Sequence, residues 1–346
     1  MSDILPRIAI TQGDPAGIGP EIIVRAWPTD TFQTSCRPFV IGDPEILRRT
    51  ASMLDQKMEI VEIDSPEDAD LTSRHCIACL PINTDLTSDF EPGRISAACG
   101  EAAYQATVDA AKLALEGRID AMVTAPLHKK ALRMAGHDYP GHTELLAELC
   151  DVDDFAMMLY LAHDETIRSP AGLAVVHVTL HMAMTEVFEA ITKESVLAKA
   201  HLADRFMALM KGERPRIGVT ALNPHGGESG LFGNEELEII EPAVRQGCEE
   251  GLDLVGPRPS DTLLIDARDG RFDAVVAMYH DQGHIALKLL GMHRAVNITL
   301  GLPIVRTSVA HGTAFDRAWK GDANEGSLIE AVRVASVLAG RRAASS

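Results

Sequence analysis

Short apolar runs recur along the chain, with amphipathic stretches between them. "RIAIT" (7–11), "PFVIG" (38–42), "AMVTAP" (121–126), "FAMMLYL" (155–161), "GLAVVHVTL" (172–180), "RIGVTAL" (216–222), "DAVVAMY" (273–279) and "AVNITLG" (295–301) read as strands. Several are rich in Val and Ile and apolar at successive positions, as parallel strands covered by helices on both faces tend to be. Helices are predicted between them. "PEIIVRAW" (20–27) opens with Pro at a first-turn position and Glu beside it. "SAACGEAAYQATVDAAKLALEG" (96–117) is Ala-rich and stops at Gly. Residues 185–210 read as two helices, or one with a break, and "SLIEAVRVASVLAG" (327–340) as a closing helix. Alternation of this kind predicts an α/β fold with a mostly parallel sheet.

In open α/β sheets, ligands bind beyond the carboxyl ends of the strands. Three of the predicted strands each deliver a histidine there. "GLAVVHVTL" is followed by His181, "RIGVTAL" by "NPHGGE" with His225, and "DAVVAMY" by His280, Asp281, Gln282 and Gly283. Three neutral imidazoles with an open position are a common catalytic set for a divalent metal. His177 is a rival to His181 on the same strand face, but it lies inside the apolar run, where a satisfied core histidine is expected.

"QGDPAGIGPEI" (12–22) sets Gly13, Gly17 and Gly19 between a strand and a helix, which suits close backbone approach to a ligand. It lacks the third glycine of the dinucleotide fingerprint. "PGHTELL" (140–146) offers His142 and Thr143 at a helix start, with Thr143 a candidate cap. Lys288, Asn297 and Arg306 supply a point charge, an amide and a guanidinium fork, a set able to clamp phosphate or carboxylate. Asp261, in "RPSDTLL", is a carboxylate at a helix start or a substrate contact. His128, Lys129 and Lys130 read as a solvated face.

Composition narrows this picture. With 346 residues, the chain is long for one hydrophobic core and predicts two domains or one large two-part unit. A net charge of −18 repels phosphate backbones and anionic membranes, which argues against nucleic-acid and membrane partners but not against a small anionic substrate. No apolar run approaches the roughly 20 residues that span a bilayer. The start "MSDILPRIAI" does not have the pattern of a signal peptide. Six scattered cysteines, with Cys76 and Cys79 the lone C-x-x-C, read as buried thiols of a cytoplasmic protein.

"GDPAGIGPE", "TAPLHK", "GHTE", "NPHGGE", "AMYHDQG", "VNITLGLP" and "RTSVAHGTAFD" together resemble the 4-hydroxythreonine-4-phosphate dehydrogenase family of vitamin B6 synthesis. The motifs run from residue 13 to residue 316 in order. The family in turn is similar to isocitrate and isopropylmalate dehydrogenases. The resemblance implies two α/β/α domains sharing a continuous mixed sheet, isopropylmalate-dehydrogenase-like, with the active-site cleft between them. The expected division is residues 1–140 with 275–346 on the cofactor side, and 141–274 for metal and dimerisation. It implies a divalent metal (Zn, Mg, Mn or Co) on His181, His225 and His280, shared across a homodimer. It places substrate on His142, Thr143, Asp261, Lys288, Asn297 and Arg306, with His142, Asp261 and Lys288 as candidates for moving the proton. NAD or NADP would meet Gly17 and Gly19, and its adenosine end His311, Gly312, Thr313 and Asp316. The implied reaction is oxidation, then decarboxylation, of 4-phosphooxy-L-threonine. D-Threonate or D-erythronate 4-phosphate, or an aromatic dihydrodiol dicarboxylate, are the alternatives within the family. A phosphate acyltransferase or a non-catalytic binding protein are the alternatives outside it. Leu180 before His181, Ala310 before His311 and His284 after "HDQG" depart from the family pattern.

Overall fold

The computed structural model describes residues 5–84 and 90–345. Twelve strands occur among them: β1 (Arg7–Thr11), β2 (Arg37–Gly42), β3 (Glu59–Glu62), β4 (Cys76–Pro81), β5 (Ala121–Thr124), β6 (Ala156–Leu161), β7 (Leu173–His177), β8 (Arg216–Thr220), β9 (Asp253–Arg258), β10 (Ala274–Ala277), β11 (Val296–Leu300) and β12 (Arg306–Val309). The chain divides into two compact units, Met1–Asp153 with Leu302–Ser346, and Asp154–Gly301.

In the first unit the strand order is β3-β4-β2-β1-β5-β12, and the recorded pairings are all parallel. Ile8, Ala9 and Ile10 of β1 are fully buried between β2 and β5, which explains their unbroken apolar run. Helix Ala97–Leu115 starts where the Ser96 hydroxyl accepts from Cys99 N at 3.2 Å, and gives way to Gly117 at φ 70°. Cys79, in β4, is fully buried and burial pushes its thiol up; the six cysteines are free.

In the second unit the order is β11-β6-β7-β10-β8-β9. β6 runs antiparallel to both its neighbours, and the other pairings are parallel. The centre is β7 against β10, where Val175 faces Val275 and Val176 faces Val276, all at 0% exposure. Fully burying one such side chain is worth about 1.5–3 kcal/mol. Residues 185–210 form two helices, Met184–Ala190 and Lys193–Lys211. The break is chemical: the Thr192 hydroxyl accepts from Ser195 N at 3.1 Å and starts the second helix afresh.

The unit boundaries fall later than the expected breaks at 140/141 and 274/275. Helix His142–Leu149 packs on Ala97–Leu115 and so belongs to the first unit. β10, helix His280–Gly291 and β11 pair or pack with β6, β7 and β8 and so belong to the second. His142 and Thr143 therefore lie in the first unit, and His280, Lys288 and Asn297 in the second. Among the described residues no helix is long and apolar enough to cross a membrane.

Two glycines in helices of the first unit predict opposite outcomes. A methyl on Gly100 would overlap the backbone of Ala131, whereas one on Gly340, in helix Gly326–Ser345, meets nothing within 4 Å. Gly100→Ala should lower stability by about 1–3 kcal/mol. Gly340→Ala should raise it by about 0.5–1 kcal/mol. Thermal unfolding of the two variants checks both signs.

Candidate functional site

In the second unit, backbone pairing extends past the ends of β7 and β10. Val178 N donates to Ala277 O at 2.8 Å, Thr179 N to Met278 O at 3.2 Å, and the Thr179 hydroxyl to the same oxygen at 2.9 Å. This zipper carries His181 alongside His280, with ring centroids 5.9 Å apart. The two rings line a cavity of about 270 Å³ together with Tyr279, Asp281 and Met182. Asp281 Oδ1 lies 2.7 Å from His280 Nδ1, and a carboxylate can only accept. His280 Nδ1 therefore carries the proton, and its Nε2 lone pair is left for a ligand. Gln282 fixes the start of this helix. Its Oε1 accepts from Met278 N and the Thr220 hydroxyl, both at 2.7 Å, and its Nε2 donates to Ala221 O at 2.8 Å.

Behind His280 stand two more histidines. His177, the last residue of β7, is 1% exposed, as the core reading of it expects. Its Nδ1 lies 3.4 Å from Met157 O and its Nε2 3.0 Å from His284 Nδ1. The His284 ring stacks on His280 with centroids 3.8 Å apart and planes at 15°. Burial pulls the pKa of His177 down to about 4. Burial and then the nearby His177, His280 and Lys288 pull His284 to about 2, so both rings are neutral.

His225 sits on a different kind of structure. Residues His225, Gly226, Gly227, Glu228 and Ser229 all have φ between 46° and 75°, a left-handed turn. Non-glycine residues held there cost of order 1–3 kcal/mol each. The buried Glu236 carboxylate anchors the entry, accepting from Leu222 N at 2.8 Å, Asn223 N at 2.7 Å and Asn223 Nδ2 at 3.0 Å. His225 itself is exposed. Of the three expected metal ligands, one chain thus brings His181 and His280 together. Among the described residues no group of three or more His, Cys, Asp or Glu side chains could hold a metal ion.

Asp261 is exposed in the first turn of helix Ser260–Arg268, where its Oδ1 accepts from Thr262 N at 2.8 Å. It lines an apolar groove of about 430 Å³ with Asp281, Ile265, Ile285 and Leu289. Lys288 lies on helix His280–Gly291, close enough for its charge to depress His284. Asn297, on β11, donates through Nδ2 to Met157 Sδ at 3.3 Å. Its Oδ1 is enclosed with no hydrogen-bond partner among the described residues.

In the first unit, Arg306 opens β12 beside β5 and is 2% exposed. Its Nη2 donates to the Thr124 hydroxyl at 2.7 Å. Burial lowers its pKa to about 9, opposed by Glu144, so it stays cationic at neutral pH. His142 begins helix His142–Leu149. Burial, and next Arg306, hold its pKa well below the usual value. Its Nε2 is enclosed with no hydrogen-bond partner among the described residues. The helix is capped by Gly141 in extended backbone, with no side-chain cap bond, so Thr143 is the second helical residue, 8% exposed, rather than the cap. A guanidinium beside a neutral imidazole is suited to an anionic group.

The glycine-rich loop and the segment 311–316 come together in this unit. Ile18 N donates to Thr313 O at 3.0 Å, and a methyl on Gly17 would lie 3.0 Å from Thr313. A methyl on Gly19 would overlap the Gln12 carbonyl. Gly17 and Gly19 thus admit the protein's own backbone. Gly312 meets nothing within 4 Å, and Asp316 is exposed. His128 is not part of a solvated face. Its Nδ1 accepts from Lys130 N at 3.2 Å, capping helix Lys129–Met134, and its ring stacks at 4.8 Å on Phe315, next to Asp316. Asp14, in the same loop, is fully buried; one oxygen accepts from Ala16 N at 2.9 Å. The other has no partner among the described residues, and burial raises the carboxyl to about 7.

Strands that deliver His181, His280 and Asp281 beyond their carboxyl ends, with Arg306 buried beside His142 in the other unit, define an α/β enzyme. The model of the pyridoxal phosphate biosynthetic protein PdxA matches residues 34–335, and the chain belongs to that family. It is 45% identical to a putative D-threonate 4-phosphate dehydrogenase of Oceanobacillus iheyensis, over 96% of this chain and 98% of that one. It is 44% identical to a 4-hydroxythreonine-4-phosphate dehydrogenase of Trichlorobacter lovleyi, over 97% and 98%. The crystal structure of a 4-hydroxythreonine-4-phosphate dehydrogenase from Klebsiella pneumoniae superposes with a TM-score of 0.85 at 41% identity, over 96% and 99%. The chain is an oxidoreductase.

Asp14 predicts a pH dependence. Its folded pKa of about 7 exceeds the unfolded 3.8, so its stabilising contribution is full below 3.8 and lost as pH rises through about 7. Asp14→Asn is neutral at every pH. Relative to that variant, the wild type should lose melting temperature between pH 5 and pH 8; a constant difference would mean that Asp14 is already ionised at pH 5.

Proposed function

We propose that the chain catalyses the NAD(P)-dependent, divalent-metal-dependent oxidation, with decarboxylation, of a phosphorylated hydroxy acid. The favoured substrate is 4-phosphooxy-L-threonine. D-Threonate 4-phosphate is the second reading, because relatives named for each stand at 45% and 44% identity. The observation that carries the proposal is the pair of enclosed, unpartnered atoms at expected substrate residues, His142 Nε2 and Asn297 Oδ1. Buried polar atoms are rarely left so, and a polar ligand group at each would satisfy it.

The donor set fits a divalent metal. His181 and His280 offer two neighbouring imidazoles, and Asp281 fixes the tautomer that leaves His280 Nε2 available. With His225 they would hold Zn, Mg, Mn or Co, the set being completed within a homodimer. Ten of the large apolar side chains exposed among the described residues lie in the second unit, including Phe188, Leu231, Ile285 and Leu289, and four in the first. An apolar surface of that kind suits a second copy of the chain. Six free cysteines agree with a cytoplasmic setting. The segment 311–316, with open space at Gly312, fits the adenosine end of NAD.

Bound there, the metal supplies a Lewis acid for the hydroxyl being oxidised, and nicotinamide supplies the hydride acceptor. The protein's own groups do the rest. Arg306 holds the phosphate as a fixed cation. His142, neutral and next to that cation, makes a poor proton acceptor and serves as a hydrogen-bond partner of the ligand. Proton removal then falls to Lys288 or Asp261.

Chelation of divalent metal should abolish NADH formation, and added Zn or Mn should restore it; turnover that survives chelation contradicts the metal reading. Arg306→Ala should raise KM for the phosphorylated substrate by about a hundredfold, the loss of a buried charge-assisted contact worth about 2–3 kcal/mol. An equal effect on an unphosphorylated analogue would assign Arg306 elsewhere. NADH formation across 4-phosphooxy-L-threonine, D-threonate 4-phosphate, D-erythronate 4-phosphate and an aromatic dihydrodiol dicarboxylate selects the substrate.

A further inference from the structure

The proposed metal site leaves His177 and His284 without a role, yet they are built into a continuous chain of polar contacts. It begins at Met157 on β6. A carbonyl only accepts, so the 3.4 Å contact puts the proton on His177 Nδ1. The neutral ring then has a bare Nε2, and the 3.0 Å contact makes His284 Nδ1 its donor. The position of one backbone oxygen thus sets two tautomers in succession. The chain ends on the face of His280, 3.8 Å away and nearly parallel.

Gly283 makes this approach possible. A methyl there would lie 2.5 Å from Val175 Cγ1 and 2.6 Å from His177 Nε2. A leucine in place of His284 would fill the space but leave His177 Nε2 buried without a donor. His280 Nδ1 is tied to Asp281, which sets its proton but not the plane of its ring; the stacked His284 does that.

We propose that His284 is a positioning residue. Anchored through His177 to the Met157 carbonyl, its ring clamps one face of His280 and fixes the direction of the Nε2 lone pair. The inference rests on the reading of His280 as a metal ligand. Outer contacts of this kind change metal affinity by about 10- to 100-fold when removed.

The test uses the full-length protein and Zn(II) or Co(II) alone, with affinity read by competition against a chromophoric chelator and Co(II) geometry by visible absorption. His284→Leu should weaken binding at least tenfold and shift the Co(II) bands. His284→Gln, which keeps a donor toward His177 but has no ring, should do the same, so a Leu variant that fails to fold leaves the test intact. His284→Phe, which keeps a ring on His280, should recover affinity to within about threefold of wild type. A purely structural role would lower the melting temperature of the metal-free variants without ordering their affinities in this way. Leu or Gln variants binding within twofold of wild type, or a Phe variant as weak as they are, overturn the inference. His280→Ala separates the two readings: wild-type affinity in that variant removes the metal reading itself.

Discussion

Polar groups carried to the carboxyl ends of buried strands must find partners there. In the second unit β7 is apolar until His177 and β10 is apolar throughout, and the backbone zipper beyond them keeps them paired for two residues more. That extension, not any attraction between imidazoles, sets His181 beside His280. Gln282 performs the same service for β8 and β10, satisfying two donors and one carbonyl with a single amide. The histidines are placed by this frame of backbone and Gln282 hydrogen bonds.

The first unit buries a charge instead. Arg306 is held in an almost fully buried position, keeps its proton despite the lowered pKa, and makes the adjacent His142 harder to protonate. The pair couples a fixed cation to a neutral hydrogen-bonding ring. Burial raises the Asp14 carboxyl to about 7, so its neutral and ionised forms coexist near neutral pH. The unit thus holds three titratable groups whose pKa values burial moves away from those of free amino acids, as functional surroundings often do.

Much of this is legible in the sequence. The eight apolar runs are all strands, because strands buried on both faces leave little room for polar residues. β12 escapes that pattern, since "RTSV" is polar yet buried. The Thr307 hydroxyl donates to Ala331 O at 2.8 Å and that of Ser308 to Thr124 O at 3.1 Å, satisfactions that only the fold supplies. β3 is a short strand with exposed ends, and β9 contains Gly256-Pro257, so neither has the periodicity of a core strand. Strand-end reasoning singles out His181 and His280, which the structure sets side by side. It says nothing of the left-handed turn around His225, the Glu236 anchor or the His177–His284 bond, each of which depends on contacts between residues distant in sequence. At Gly17 and Gly19 the structure shows what the glycine pattern alone does not, close approach of Thr313 and of the Gln12 carbonyl.

The central claim is that strand-end imidazoles hold a divalent metal. X-ray absorption of the Co(II)-loaded protein tests it at the metal itself. The account predicts a nitrogen and oxygen first shell with the outer-shell scattering of at least two imidazoles, and loss of one imidazole in His181→Ala. A shell of oxygen ligands without imidazole scattering, or a spectrum unchanged in that variant, would contradict it.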